Sequence, residues 1–194
     1  AAQHSKNIPV ELVTTSAQSS MSHKVDNILN IKSYYYFIKA VNYYLVANHF
    51  ENRLFINDNT AGFEEYKQTL LKENFVDLVE KSGVEYMDRI IEFAKEFNHE
   101  MNAVIVFSEK ELCAQGALEL KNLAMITGKL GKTSSGLIAL KEKNNSQGLF
   151  DMGVCPKLGV GAQPILSPDL QAKMKARWGG KDFPATVNVS QYDS

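Results

Sequence analysis

Asn102-Ala103-Val104-Ile105-Val106-Phe107, followed by Ser108-Glu109-Lys110-Glu111 and then a helical pattern through Lys129, is the stretch that decides the fold. Its six residues form a short apolar run rich in β-branched side chains and read as a buried strand. Leu112, Leu120, Leu123 and Ile126 then recur at the spacing of one helix face. After Gly131 a second run, Leu137-Ile138-Ala139-Leu140, reads as another strand. Strand, helix, strand in that order is how a parallel pair is connected, so the expected class is α/β, with a mostly parallel sheet or sheets flanked by helices. Such a turn can hold a phosphate at the helix N-terminus. Here Glu109 and Glu111 would repel it unless Lys110 offsets them.

Working back toward the start, Pro9 to Thr15 and Val25 to Ile31 read as two further strands. Ser33 is a helix cap in front of Phe37, Ile38, Val41, Tyr44, Leu45 and Phe50, which recur at three and four. Tyr34, Tyr35, Tyr36, Tyr43 and Tyr44 lack interleaved basic residues and are expected to line core and boundary rather than to stack on bases. Residues 60–72 and 75–81 are expected to be helical, with Gly83 as a stop. Glu85 to Asn98 is strongly amphipathic: Met87, Ile90, Ile91, Ala94 and Phe97 share one face, and Asp88, Glu92, Lys95 and Glu96 the other. His99 closes that helix. None of His4, His23, His49 and His99 stands at metal-ligand spacing from another histidine or a carboxylate.

Toward the end of the chain, two glycine-rich segments flank the second strand: Gly128-Lys129-Leu130-Gly131-Lys132, and Asn144-Asn145-Ser146-Gln147-Gly148-Leu149-Phe150-Asp151-Met152-Gly153. Glycine permits close backbone approach, and side-chain amides both donate and accept, so these segments could line a ligand. The same residue types also build any long turn. Ser167-Pro168-Asp169 starts a short helix through Arg177, ended by Gly179-Gly180. The expected domains are 1–135 as a dinucleotide-binding-like α/β lobe, 136–180 as part of a second α/β lobe, and 181–194 as a linker.

The 194 residues are 44% hydrophobic, enough to bury a core. Basic and acidic residues nearly cancel, 21 against 22, which gives no electrostatic reason to expect nucleic acid or an anionic membrane as partner. The longest apolar-rich run, Tyr34 to Phe50, is broken by Lys39, Asn42, Asn48 and His49, so no direct membrane span is expected. Cys113 and Cys155 form no paired motif. A reducing, cytoplasmic setting follows, with Cys113 as a small buried hydrophobe.

Gly-Lys-Leu-Gly-Lys together with Asn-Asn-Ser-Gln-Gly-Leu-Phe-Asp-Met-Gly-Val-Cys-Pro resembles a segment of molybdopterin oxidoreductases, with formate dehydrogenase large subunits nearest. In those proteins it reads as a Thr-Gly-Asn-Ile-Gly-Lys-Pro-Gly turn and then Arg-Gly-Gln-Asn-Asn-Val-Gln-Gly-Ala-Cys-Asp-Met-Gly. Thr60-Ala61-Gly62-Phe63-Glu64-Glu65 and Ala176-Arg177-Trp178-Gly179 are similar to that family's Thr-x-Gly-Phe-Glu-Glu and Ala-x-Trp-Gly. The resemblance covers nearly the whole chain. It implies part of a two-lobed core around a molybdopterin guanine dinucleotide carrying molybdenum or tungsten, from which two electrons pass to iron–sulfur carriers. Asn144, Asn145, Gln147, Gly148 and Asp151 then fall where the family lines the cofactor between its lobes, with Lys141 at the place of an arginine beside the substrate.

Departures are equally specific. Thr14-Thr15-Ser16 replaces the family's Asp-Pro-Arg, Glu142-Lys143 replaces Gly-Gln, and a lysine cannot reproduce the planar two-point grip of an arginine. The metal-ligating cysteine or selenocysteine and the iron–sulfur cluster cysteines belong to regions outside these 194 residues. The segment alone is therefore expected to be inactive. Its implied partners are the remainder of the large subunit and iron–sulfur, NADH-linked or quinone-linked redox subunits. Ser146 and the altered turn at 108–111 lean toward a second reading, a degenerate scaffold similar to the large iron–sulfur subunit of NADH:quinone oxidoreductase or of an electron-bifurcating complex.

Overall fold

The computed structural model describes residues 8–16, 19–155 and 157–179, so the linker expected at 181–194 lies outside the described residues. The chain divides into two compact units, Ala1–Leu140 and Lys141–Ser194. Each is described by itself.

The first unit contains both strand pairs. β1 (Glu11–Thr14) pairs in parallel with β2 (Asn27–Asn30), Leu12 opposite Ile28 and Val13 opposite Leu29. After β2 the chain enters α1 (Tyr34–Ala47), which buries Phe37, Ile38, Ala40, Val41, Leu45 and Val46. Burial on that many positions exceeds a single stripe because α1 runs between three other helices: α4 (Phe75–Ser82), α5 (Met87–His99) and α6 (Ala114–Ile126). Fully burying one such aliphatic side chain contributes about 1.5–3 kcal/mol, so α1 is the principal source of cohesion in this unit. The five tyrosines of α1 are half-buried, and Tyr43 stacks on Phe75 with 5.4 Å between ring centroids. Ser33 occupies the cap position, but its hydroxyl makes no capping hydrogen bond.

Short helices fill the span between α1 and α5. α2 (Arg53–Asn59) has no counterpart in the sequence reading; it starts because the Asn52 carboxamide oxygen accepts from the Phe55 amide at 3.0 Å. α3 (Phe63–Leu70) follows Gly62, whose φ of 78° suits a residue without a side chain. α4 is opened by the Asn74 side chain accepting from Val76 N and closed by Gly83 at φ 75°. In α5, Ile90 and Ala94 are fully buried, as the amphipathic pattern requires.

β3 (Val104–Ser108) and β4 (Gly136–Leu140) pair in parallel, with α6 as the crossover. Two expectations change here. The strand at 102–107 was read as buried, yet only one face is covered: Ile105, Phe107 and Leu137 pack on the core, while Val104, Val106, Ile138 and Leu140 are each about half exposed. Among the described residues of this unit, helices cover one side of the pair. The run at 136–140, expected to open a second lobe, belongs to the first unit because its backbone is bonded in register to β3.

The second unit holds α7 (Ser146–Asp151) and α8 (Pro168–Trp178) with a looped segment between them. Bridges Cys155 to Leu158 and Leu158 to Pro164, together with Gly159 N donating to Gln163 O at 2.7 Å, fold that segment on itself. Leu170 of α8 is its buried anchor.

Candidate functional site

All six site residues expected from the sequence lie in the second unit, at and around α7. The helix is short because Lys141-Glu142-Lys143-Asn144 carry no apolar repeat and Gly153 at φ 79° stops it two residues past its end. Asn145 sits at the N-cap position with its carbonyl accepting from Leu149 N at 3.1 Å, and Ser146 Oγ donates to Lys143 O at 2.9 Å. The Asn145 amide oxygen occupies the space where a side chain on Gly148 would begin, so the pair Asn145 and Gly148 has a local packing reason. Gly153 has another: a Cβ there would lie 2.9 Å from the backbone of Gly159 and Val160. The Asp-Met-Gly end of the motif is thus the point where the looped segment closes on α7.

The polar groups face outward. Lys141, Asn144, Asn145, Gln147 and Asp151 are exposed, and Gly148 is half-buried. Gln147 Nε2 donates to Asp151 Oδ1 at 2.9 Å, a bond one helical turn long that occupies the carboxylate expected to receive a ligand N–H. The Lys141 ammonium lies 5.0 Å from the centroid of the Phe150 ring, a cation–π contact between neighbours on the same unit. This face can offer amides and one carboxylate to whatever packs against it. With these polar side chains exposed, they do not by themselves constitute an enclosed cofactor site. Among the described residues, no group of three or more His, Cys, Asp or Glu side chains is placed to hold a metal ion, and no helix is long and apolar enough to cross a membrane.

The other glycine-rich segment begins as the end of α6. Gly128, at φ 65°, ends α6 where a side chain would meet the Asn52 amide at 2.7 Å, and Lys129 N returns to Ala124 O at 2.8 Å. The Lys129 side chain is buried, its ammonium 3.4 Å from the Asn98 carbonyl oxygen and 5.0 Å from the Phe97 centroid. Burial, with Lys132 nearby, lowers its pKa to about 8. Cys113 is exposed rather than buried: it caps α6, its sulfur accepting from Gly116 N at 3.3 Å.

A polar cluster that the sequence reading did not single out lies inside the first unit. Fully buried Asn42 donates to Glu119 Oε2 at 2.9 Å and to Glu119 O at 3.0 Å, and Tyr66 Oη donates to the same carboxylate at 2.7 Å. Burial and the Glu119 charge push the Tyr66 hydroxyl far above its ordinary pKa. The available signal was Asn42 itself, an amide in the middle of an apolar helix stripe. This cluster ties α1, α3 and α6 together and borders a small cavity lined by Thr60, Phe63, Tyr66 and Asn122. Its mutual hydrogen bonds make it a packing device.

No family model matches the chain. Its sequence is 27% identical over 151 residues to the "Putative formate dehydrogenase" of Staphylococcus aureus strain bovine RF122 / ET3-1, covering 76% of this chain and 15% of that protein. Proteins of the same description from strains USA300 and NCTC 8325 / PS 47 are 26% identical over the same shares. The chain therefore spans about 15% of the length of these curated relatives. The likeness is distant, and it points toward oxidoreductases of the formate dehydrogenase kind.

Proposed function

We propose that this chain serves as one segment of a formate dehydrogenase-like molybdopterin oxidoreductase large subunit, supplying a hydrogen-bonding wall rather than metal ligands. The observation that carries this reading is the similarity across 76% of the chain to proteins named for formate dehydrogenase activity. The local architecture around α7 is consistent with it. Asn145, Gly148 and Gly153 fix the backbone, while Asn144, Asn145 and Gln147 keep amides on the outside, where a pterin edge could meet them. A molybdenum or tungsten centre would supply the two-electron chemistry when bound, and this chain's residues would orient it and shield it from water. Iron–sulfur and NADH-linked or quinone-linked subunits are the proposed electron partners, in a cytoplasmic setting where Cys113 and Cys155 stay unpaired.

The exposure of Lys141 and its stacking on Phe150 favour the second reading, in which the same segment persists in a scaffold without molybdenum. Metal and pterin analysis of the protein isolated from its native source, in its natural complex, separates the two. Stoichiometric molybdenum or tungsten with pterin is the expected result. Iron without either metal would replace the first reading with the scaffold.

A further inference from the structure

β3 and β4 have two unlike faces. Their register puts Val104 beside Gly136, Val106 beside Ile138 and Ser108 beside Leu140, and residues paired across a parallel ladder stand on the same side of it. The four aliphatic residues of that set are 49–55% exposed, while Ile105, Phe107 and Leu137 on the opposite side pack against the core. No charged residue lies among the six. Gly136 leaves a hollow at one end, since nothing comes within 4 Å of the point a Cβ would occupy. The backbone beneath is bonded along its whole length, with Gly136 N donating to Ala103 O at 3.0 Å before the ladder and Glu109 N to Leu140 O at 3.2 Å after it. The face is therefore formed in advance and uncharged, on parallel strands, which helices ordinarily cover on both sides.

The possible occupants differ in how much area each needs. Four half-exposed aliphatic side chains present a few hundred Å² at most, against roughly 800 Å² on each partner in a stable complex of independent chains. A second copy or a separate subunit is poorly served by this face alone. A segment of the same polypeptide is under no such requirement, because tethering holds it at a high effective concentration. The relatives have such segments, since the chain matches 15% of their length. A strand would extend the pair at its edge and leave the face bare, whereas a helix with apolar residues three and four apart lays a stripe across it. We propose, resting on the reading of this chain as a segment of a longer large subunit, that the β3–β4 face is the seat of an amphipathic helix from that same polypeptide, outside these 194 residues, whose aliphatic stripe crosses Val106 and Ile138.

Val106→Cys in the full-length large subunit, in its natural complex, tests the cover. Alkylation of that cysteine by N-ethylmaleimide, followed by mass spectrometry of its peptide, should be about a hundredfold slower in the native complex than in urea. Leu140→Met, which nearly conserves volume, carries a diazirine analogue of methionine to the same face and identifies the occupant. Its photo-cross-link should join a peptide of the same polypeptide outside these 194 residues, with aliphatic residues at helical spacing. Native alkylation close to the urea rate overturns the proposal and leaves the segment reading standing. So does a diazirine that traps only water, or that joins a second copy, another subunit or a peptide within these 194 residues. A natural polypeptide no longer than this chain would overturn both.

Discussion

The two units differ in what holds them. In the first, three helices close around α1 and bury Leu45, Leu78, Ile90 and Ile126 to 2% exposure or less. In the second, Leu170 is the buried aliphatic among the described residues, while Leu149, Met152, Val154, Leu166 and Trp178 stand 45–72% exposed. The first is stabilised by area removed from water; the second is held in shape by glycines at positive φ and by backbone hydrogen bonds across its looped segment. A motif can thus be locally exact in its backbone while its outward surface remains open to a partner.

The largest expected effect marks the strong side of this contrast. Leu45→Ala removes a fully buried side chain from α1 and should destabilise the first unit by about 3 kcal/mol in denaturant unfolding, whereas Leu149→Ala should change stability by less than about 0.5 kcal/mol. Comparable costs at the two positions would erase the distinction between the units. Gly153→Ala comes next. A Cβ at φ 79°, 2.9 Å from the Gly159 carbonyl carbon, should cost about 2 kcal/mol and release exchange protection in residues 146–179 while α1 and α6 keep theirs. Loss of protection in both units would mean that they unfold together.

The smallest effect sharpens the account of the first unit. Lys129 has a folded-state pKa near 8 against 10.5 when solvated, so the unfolded state binds more protons between these values and stability should rise with pH across that window. Lys129→Met should be more stable than the wild type at pH 7 by about 1 kcal/mol and should lose that slope, measured as unfolding midpoints from pH 7 to 10. An unchanged slope would show that the ammonium is hydrated in the folded protein.

Much of the first unit was legible because its signals are local. The three- and four-residue repeat in α1, the amphipathic face of α5 and the stop at Gly83 each follow from side-chain periodicity or backbone freedom. α2 was not legible, since seven residues with one buried side chain, Ile56, leave no repeat to detect. Nor could the run at Val104 to Phe107 reveal that one face stays bare, because apolar residues on both faces look the same in a strand covered once or twice. Around α7 the sequence located the motif and the glycines that shape it. It could not show that Gln147 and Asp151 would bond to each other, as that depends on six residues closing into a single short helix.

The bare side of the β3–β4 pair has a practical meaning for anyone handling this polypeptide. Val104, Val106, Ile138 and Leu140 form an oily strip on these two strands, and among the described residues each strand has one edge without a partner strand, a template on which stray strands can add. Crowded solutions of the isolated chain should turn cloudy from that strip outward, and an aspartate at Val106 is the simplest remedy.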